Sequence, residues 1–481
     1  MTDRAYRFSL WSITGICVLV NAVTLKDGHN WGGDFSQYIL GALNILGGRP
    51  YTANIMLDPV IVYPPGYPLL LVPVLKAFGV NFIVLKCVNV AFWAGAVLCI
   101  GSLLRRRCGP GLALAGAAFW ASSFLFFLTK QNVISDMAFF GLVCAALWAL
   151  EHYQEKPSLS WFAGSLGWMS AALLTRSAGI VLFAAVFLWL AMVKRALRPA
   201  AIVAGTGLAV IGAQAWITGG FFVGFFKSYV SMPFELLMLM VKRCGLPLES
   251  LVWCLVPRQM VVTAGYSGAV EWSCRIIAPV FWVWLGVAAL YRIRRKRLGV
   301  IEVFGFLYSF VLLAWTSTYT QSAEGFGRFV LPALAAAFIL VLGSCARRGW
   351  AKMAAGSLCA LIALNLTATA INWDFNDDVF LSDRQARGML MWLKGNLKAD
   401  EHYMFWEPRP VALMTGRLGT TTAWLAANPP EVWPQILREK GVGYVAAVRG
   451  LDDRLMPILE ATPVRARKIW QDTRYVIYRI P

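Results

Sequence analysis

Two aspartates in this sequence lie in contexts that suit acid–base chemistry. Asp34 stands in Trp31-Gly-Gly-Asp-Phe-Ser-Gln-Tyr38, where two glycines allow a backbone to approach a ligand closely. A carboxylate there can act as a general base that removes a proton from a hydroxyl group. Asp34 can equally cap a short helix that begins at Phe35, and Asp136 opens an apolar stretch where the helix dipole favours an acid. Both interpretations stay open for each aspartate.

Two arginines supply charge of the opposite sign. Arg176 follows the fifth predicted apolar span, and Arg328 opens the tenth. A guanidinium matches the geometry of a phosphate with two parallel hydrogen bonds, so both arginines are candidates for binding a lipid phosphate. Each can instead extend to the membrane interface without a ligand. Glu324 lies four residues before Arg328 and can pair with it, in a surface bridge that contributes little.

The other ionisable residues near the predicted outer ends of the spans are Lys26, Arg49, Asp58, Lys86 and Lys130. Charged groups at this depth are costly in lipid and tend to face a cavity or a partner, so each is a candidate. The ten cysteines contain no CxxC pair, and the histidines are isolated from one another. We therefore predict no metal site, although a divalent ion beside the two aspartates is compatible with the chemistry.

The elements that position these residues are long and apolar. The chain has 481 residues, of which 58% are hydrophobic and 14% charged, whereas soluble domains contain about 25% charged residues. A helix of about 20 apolar residues crosses a bilayer core. The predicted spans are Phe8 to Leu25, Asn81 to Leu104, Gly111 to Leu128, Ile134 to Leu150, Trp161 to Thr175, Ala178 to Val193, Ala200 to Ile217, Ile276 to Tyr291, Val300 to Thr318, Phe329 to Cys345 and Met353 to Ile371.

Basic clusters predict how these eleven spans are oriented. They follow spans two, six, eight and ten, and therefore lie on one face, which the positive-inside rule makes cytoplasmic. The N-terminus then lies inside and the C-terminal segment outside. Because the net charge of +19 resides in these loops, it does not indicate a nucleic-acid partner. The pattern fits a bacterial inner membrane, with the bilayer as a partner.

Three outer segments are too long to be simple turns: residues 26–80, 218–275 and 372–481. The tract from Tyr63 to Phe78 is interrupted by prolines and is predicted to be a juxtamembrane helix, whereas 218–275 resembles an amphipathic cover. The last segment predicts a small extracytoplasmic α/β domain, after a membrane module at 1–371. Its predicted helices are Ser382 to Leu397 and Val432 to Lys440, and its predicted strands are Tyr444 to Val448 and Tyr475 to Tyr478.

Together, these motifs resemble the GT-C superfold of membrane glycosyltransferases, in particular the branch shared by protein O-mannosyltransferases and lipid A aminoarabinose transferases. The resemblance covers nearly the whole chain and implies a polytopic α-helical fold with about eleven spans. The positions that match the family's short motifs are Asp34, Tyr63-Pro64-Pro65, Ser135-Asp136, Arg176 with Gly179, and Arg328 with Phe329 and Pro332.

The resemblance implies a polyprenyl-phosphate-linked sugar donor, transfer to a lipid, glycan or protein acceptor at the outer face, and inversion at the anomeric carbon. Asp34 is then the base, Asp136 orients the acceptor or a positive group, and Arg176, Arg328 or a lysine stabilises the leaving phosphate. No cofactor is required, though a divalent metal is compatible. Lys86 stands where the family commonly has arginine, and Tyr63 or a proline replaces a lysine of some lipid A transferases, so the sugar, hexose or pentose, stays open.

Two other functional classes also use many spans. A lipid flippase or transporter would place charges near the membrane midplane and functional loops on both faces, whereas here the charges gather at one predicted face. A membrane scaffold would use the C-terminal domain only to bind a partner. Sugar transfer with and without the Asp34 carboxylate discriminates these classes.

Overall fold

A computed structural model describes the chain except for residues 54, 59–62, 219–242, 259–266, 295–297, 316–322, 375–383, 399 and 462–463. For residues 267, 284–285, 288–289, 292–294 and 323–325 it describes the backbone only. The described chain forms two compact units. The first contains Met1–Leu25, Cys87–Lys130 and Ser135–Phe375, and the second contains Lys26–Lys86, Gln131–Ile134 and Asn376–Pro481.

The first unit is built from helices. Helix Phe82–Arg107 begins in the second unit and continues into the first. The other α-helices of the first unit are Asp3–Val23, Pro110–Ala121, Phe124–Thr129, Ser135–Glu155, Leu159–Thr175, Ile180–Leu188, Leu197–Thr218, Gly245–Leu255, Ser267–Arg294, Val300–Trp315, Ala323–Arg347 and Ala351–Ile371. Ser177–Gly179 is a 3-10 turn, and Trp189–Val193 continues helix Ile180–Leu188 with π geometry. Each predicted span lies on helix over most of its length. The predicted cover at 218–275 lies largely outside the described residues.

Among the described helices, six are long and apolar enough to cross a membrane: Asp3–Val23, Phe82–Arg107, Pro110–Thr129, Leu197–Thr218, Phe326–Arg347 and Ala351–Ile371. Four shorter apolar helices are Gly66–Phe78, Ser177–Val193, Gly245–Leu255 and Val300–Trp315. The polytopic helical class is thus confirmed, while the number of eleven spans stays a prediction.

Polar side chains fasten helix ends inside this unit. Asn365 is 1% exposed; its side-chain oxygen accepts from the backbone N–H of Phe124 at 2.8 Å, and its amide nitrogen donates to the Leu255 carbonyl at 3.3 Å. Arg107 pairs with Glu151 at 2.8 Å. Such bonds matter because an apolar medium offers no water to satisfy these groups.

The second unit contains a mixed five-stranded sheet. Its strands are β1 (His402–Phe405), β2 (Gly419–Thr421), β3 (Val442–Val448), β4 (Arg467–Gln471) and β5 (Tyr475–Arg479), in the order β2-β1-β3-β5-β4. β1 pairs in parallel with β2 and β3, whereas β5 is antiparallel to β3 and β4. Both predicted strands are confirmed as β3 and β5.

Alternating side chains of the sheet pack against helices on both faces. Tyr403 and Phe405 of β1 pack with helices Arg384–Asn396 and Pro408–Thr415, whereas Met404 faces helices Trp433–Glu439 and Met456–Glu460. The two predicted helices of this region are therefore present, although Ser382 lies outside the described residues.

Residues 26–86 belong to the same unit as the sheet. They form helices Gly33–Leu46 and Gly66–Phe78, the second of which coincides with the predicted juxtamembrane tract. Trp31 is 8% exposed and packs into the core of the sheet, 5.1 Å from the ring of Phe405. A domain boundary at residue 372 remains a prediction, because the compact unit also includes this earlier segment.

Asp58 fastens the earlier segment to the sheet region. Its carboxylate accepts from Lys440 at 2.5 Å and from the Thr420 hydroxyl, and it is 8% exposed. Burial by itself would raise the pKa of Asp58, but the bonds from Lys440 and Thr420 outweigh it and lower the pKa. The ionised, paired form is therefore the one that stabilises the fold.

We expect Asp58→Asn to reduce the stability of the protein in detergent by about 1.5–3 kcal/mol at pH 7, because a charge-assisted hydrogen bond is lost. A group whose folded pKa is lowered contributes stability above its unfolded pKa and loses it as the pH falls through the folded value. Melting temperatures of wild type and variant should thus converge on acidification. Asp27→Asn, at an exposed site, is the control; a constant difference at all pH values would contradict the assignment.

Candidate active site

Asp34 is the second residue of helix Gly33–Leu46. Gly32 occupies the N-cap without a side-chain hydrogen bond, so the interpretation of Asp34 as a cap is wrong. Its Oδ1 accepts a hydrogen bond from the Tyr63 hydroxyl at 2.5 Å. The Asp34 side chain is 40% exposed, which leaves its carboxylate open to a substrate.

Tyr63 was predicted from its motif, and the structure places it against the predicted base. Burial, followed by the negative charge of Asp34, raises the pKa of Tyr63, so its hydroxyl stays protonated and donates. The Tyr51 hydroxyl donates to the Tyr63 carbonyl at 3.1 Å, and the ring of Tyr38 lies 5.2 Å from that of Tyr63. Tyr63 is therefore held by neighbouring aromatic residues.

A second contact to Asp34 comes from Arg409, which the sequence did not single out. Its terminal nitrogen lies 3.5 Å from Asp34 Oδ1 and donates to Gln37 Oε1 at 2.9 Å. The other two nitrogens bind Glu407, with Nε–Oε1 at 2.9 Å and the second terminal nitrogen 3.1 Å from Oε2. Burial would lower the pKa of Arg409, but Glu407 and then Asp34 raise it, so the guanidinium remains charged.

The glycines before Asp34 lie close to other side chains of the protein. A Cβ atom on Gly33 would overlap the guanidinium of Arg409 and the carboxylate of Glu407, and one on Gly32 would overlap the ring of Phe35. Gly33 thus allows a close approach of Arg409 and Glu407, and the approach of a ligand to these glycines stays a prediction.

Asp136 and Arg176 form a buried pair in the first unit. Arg176 lies 2.7 Å from Asp136 Oδ1 and also donates to the Ser135 hydroxyl at 3.2 Å. The side chains are 2% exposed for Asp136 and 16% for Arg176. Arg176 immediately follows helix Leu159–Thr175, which packs along helix Ser135–Glu155, so the helix pair sets this contact.

Arg328 has a different environment. Its guanidinium and that of Arg176 contact the ring of Phe329, at 4.9 and 4.8 Å from the ring centre. The Nε atom of Arg328 is buried and, among the residues that the structure describes, has no hydrogen-bond partner. The Glu324 side chain lies outside the described set, so its predicted pairing with Arg328 stays a prediction.

The two candidate lysines bind backbone oxygens. Lys86, 1% exposed, donates to the carbonyl of Lys26 at 2.7 Å. Lys130, with no exposed surface, donates to the Asn21 carbonyl at 3.2 Å and contacts the Thr24 hydroxyl at the end of the first helix. A cation is favourable at a helix C-terminus, so Lys130 has a structural explanation. Substrate binding by either lysine remains a prediction.

No group of three or more metal-ligating side chains occurs in the described part of the chain. His29 is buried, with its Nδ1 2.7 Å from the Asn30 carbonyl and its Nε2 3.3 Å from the Ser36 hydroxyl. Burial lowers the pKa of His29 to about 4, so its imidazole is neutral at pH 7. Its hydrogen bonds within this segment account for its position.

Comparison with known proteins identifies the fold. Residues 62–218 match the model of the dolichyl-phosphate-mannose-protein mannosyltransferase family. The structure of apo ArnT from Cupriavidus metallidurans superposes with a TM-score of 0.55 at 12% identity, over 98% of both chains. The chain has the GT-C fold. Its predicted resemblance to membrane glycosyltransferases of this fold is confirmed, and the chain is an integral membrane protein.

Two further structures share the GT-C fold with this chain. ArnT from Cupriavidus metallidurans bound to undecaprenyl phosphate gives a TM-score of 0.53 at 12% identity, over 97% of both chains. The Archaeoglobus fulgidus oligosaccharyltransferase tethered to an acceptor peptide gives 0.56 at 13% identity, over 91% of this chain and 69% of that one. No curated protein matches by sequence.

We expect Asp136→Asn to destabilise this GT-C fold by about 3 kcal/mol, because it leaves the Arg176 guanidinium buried without its carboxylate. The double variant Asp136→Asn with Arg176→Gln should recover most of that loss, since no unpaired charge remains. Thermal unfolding in detergent measures both. Equal stability of wild type and Asp136→Asn would show that the pair has no structural role.

Proposed function

We propose that this protein is a glycosyltransferase that moves a monosaccharide from a polyprenyl-phosphate donor to a lipid, glycan or protein acceptor. The observation that carries the proposal is the Asp34 carboxylate, exposed and held through one oxygen by Tyr63 in a membrane protein with the GT-C fold. Fold alone does not specify an activity, so the geometry of this carboxylate is needed.

The chemistry follows from the two oxygens of Asp34. Tyr63 and Arg409 both contact Oδ1, and no described residue binds Oδ2. Oδ2 therefore takes the proton of the acceptor hydroxyl while its oxygen attacks the anomeric carbon. The bond from that carbon to the donor phosphate oxygen breaks, and the polyprenyl phosphate leaves with the electron pair. A single displacement of this kind inverts the configuration.

For the donor phosphate we assign Arg328 before Arg176. Arg176 is already neutralised by the buried Asp136, whereas Arg328 keeps a buried nitrogen without a partner among the described residues. A phosphate oxygen supplies the acceptor that this nitrogen lacks. The ArnT structure that contains undecaprenyl phosphate and the matching mannosyltransferase family support a polyprenyl-linked donor. Asp136 then orients Arg176 rather than moving a proton.

The location proposed for the reaction is the outer face of a bacterial inner membrane. The basic clusters that alternate between predicted spans support this orientation, with the N-terminus in the cytoplasm. Neither a metal nor another cofactor is needed for the displacement, because a polyprenyl-phosphate sugar already carries its leaving group.

The deciding experiment measures sugar transfer from a mixed pool of polyprenyl-phosphate sugars to membrane extracts. Asp34→Asn keeps the size of the side chain and removes the base, so transfer should fall at least about 100-fold. Asp27→Asn, which changes an exposed aspartate of the same segment, should transfer like wild type. Equal transfer by Asp34→Asn would place the base elsewhere, and an inactive wild type would favour the flippase alternative.

Arg328→Lys tests the phosphate assignment. Lysine keeps the charge but not the paired donors, so we expect the donor KM to rise about 10–100-fold, equivalent to about 1.4–2.8 kcal/mol, with a smaller change in kcat. Arg275→Lys is the control, because Arg275 is 63% exposed and pairs within its own helix. An unchanged donor KM would remove Arg328 from the donor site.

A further inference from the structure

We propose that Arg409 is a positioning residue for the general base Asp34 and that Glu407 sets the direction of Arg409. This inference rests on the proposed function, because it names how the base of that reaction is held. It also gives the C-terminal segment a part in catalysis. Glu407 lies between strand β1 and helix Pro408–Thr415, and Arg409 is the second residue of that helix.

The first step is the shape of the Arg409 contacts. Glu407 binds two of the three guanidinium nitrogens, which leaves one terminal nitrogen to face helix Gly33–Leu46. That nitrogen reaches both Asp34 and Gln37. These two residues are three positions apart, so they lie on the same side of the helix. Arg409 therefore fixes the helix face on which the base stands.

The second step is the length of the contact to the base. The bond to Gln37 is 2.9 Å long, whereas the distance to Asp34 is 3.5 Å. A bidentate arginine pair would occupy both oxygens of Asp34 and compete with a substrate. Glu407 already accepts the two parallel hydrogen bonds of Arg409. Arg409 therefore attracts Oδ1 of Asp34 by its charge and leaves Oδ2 available.

The third step is the space at Gly33. Any side chain there would displace the Arg409 guanidinium and the Glu407 carboxylate, so the backbone before Asp34 is shaped to receive this pair. The pair is also well shielded, with each side chain 17% exposed. Shielding from water strengthens its electrostatic effect on the neighbouring carboxylate.

Together these contacts define what Arg409 does in the reaction. Tyr63 and Arg409 approach Oδ1 from two separate segments, which fixes the rotation of the carboxylate about its bond to the chain. The remaining oxygen then points in one direction when the acceptor hydroxyl arrives. A misplacement of about 1 Å at such a group can lower a rate about 100-fold.

The test compares four purified variants by steady-state transfer, with kcat and donor KM measured separately. Arg409→Gln alone leaves Glu407 buried without its partner, so the double variant Arg409→Gln with Glu407→Gln removes the pair without an unpaired charge. Both should lose kcat about 10–100-fold with the donor KM within about twofold of wild type. Arg409→Lys should retain more activity than Arg409→Gln, because it keeps a cation at the site. Arg438→Ala, an exposed arginine in the same segment, should behave like wild type.

A chemical readout separates positioning from general folding. Added guanidinium ion should restore part of the kcat of Arg409→Gln and leave Arg438→Ala and Asp34→Asn unchanged. If the wild type is active and the folded double variant is equally active, Arg409 has no positioning role, while the proposed function is unaffected. A higher donor KM with an unchanged kcat would also overturn the role of Arg409. A wild type that transfers no sugar would refute the proposed function, and the role of Arg409 with it.

Discussion

Buried charge that must be neutralised governs much of this structure. A carboxylate or guanidinium removed from water loses several kcal/mol of hydration, which is recovered only when a partner with good geometry is close. Asp136 has Arg176, Asp58 has Lys440, and Glu407 has Arg409. Each pair joins segments that are distant in sequence or fixes the end of a helix. The described positions of the helices and of the sheet are therefore tied to where these charges can meet.

The same constraint separates residues that look equivalent in the sequence. Arg176 and Arg328 both border apolar stretches, and both contact Phe329. Only the structure shows that one is neutralised by a buried carboxylate while the other has a buried nitrogen without a described partner. Lys130 likewise resembles a ligand-binding cation in sequence, yet it binds oxygens at the end of the first helix. Residue type and depth alone cannot give this information.

The sequence predicted the helical class well because the length and apolarity of a span are local properties. It also predicted β3 and β5, whose residues are buried almost throughout, because short runs of branched and aromatic residues are typical of buried strands. The strands His402–Phe405 and Gly419–Thr421 were missed, since four and three residues are too few to show a period. Asp34 and Tyr63 were found through motifs, but Arg409 was not. It lies 375 residues after Asp34, in a stretch without a distinctive pattern, so only folding brings the two together.

The shared core of residues 26–86 and the C-terminal sheet has a consequence for how the protein is made. Trp31 packs against Phe405 and Tyr475, and the backbone N–H of Leu57 donates to the carbonyl of Gly419. A ribosome synthesises residues 26–86 well before residues 402–481, which contain these partners. Until residues 402–481 are synthesised, Trp31 and the carboxylate of Asp58 lack these partners. A chain that stops before strand β1 therefore leaves Trp31 and Asp58 exposed to solvent. Proteases that remove unfinished membrane proteins can recognise such an uncovered segment.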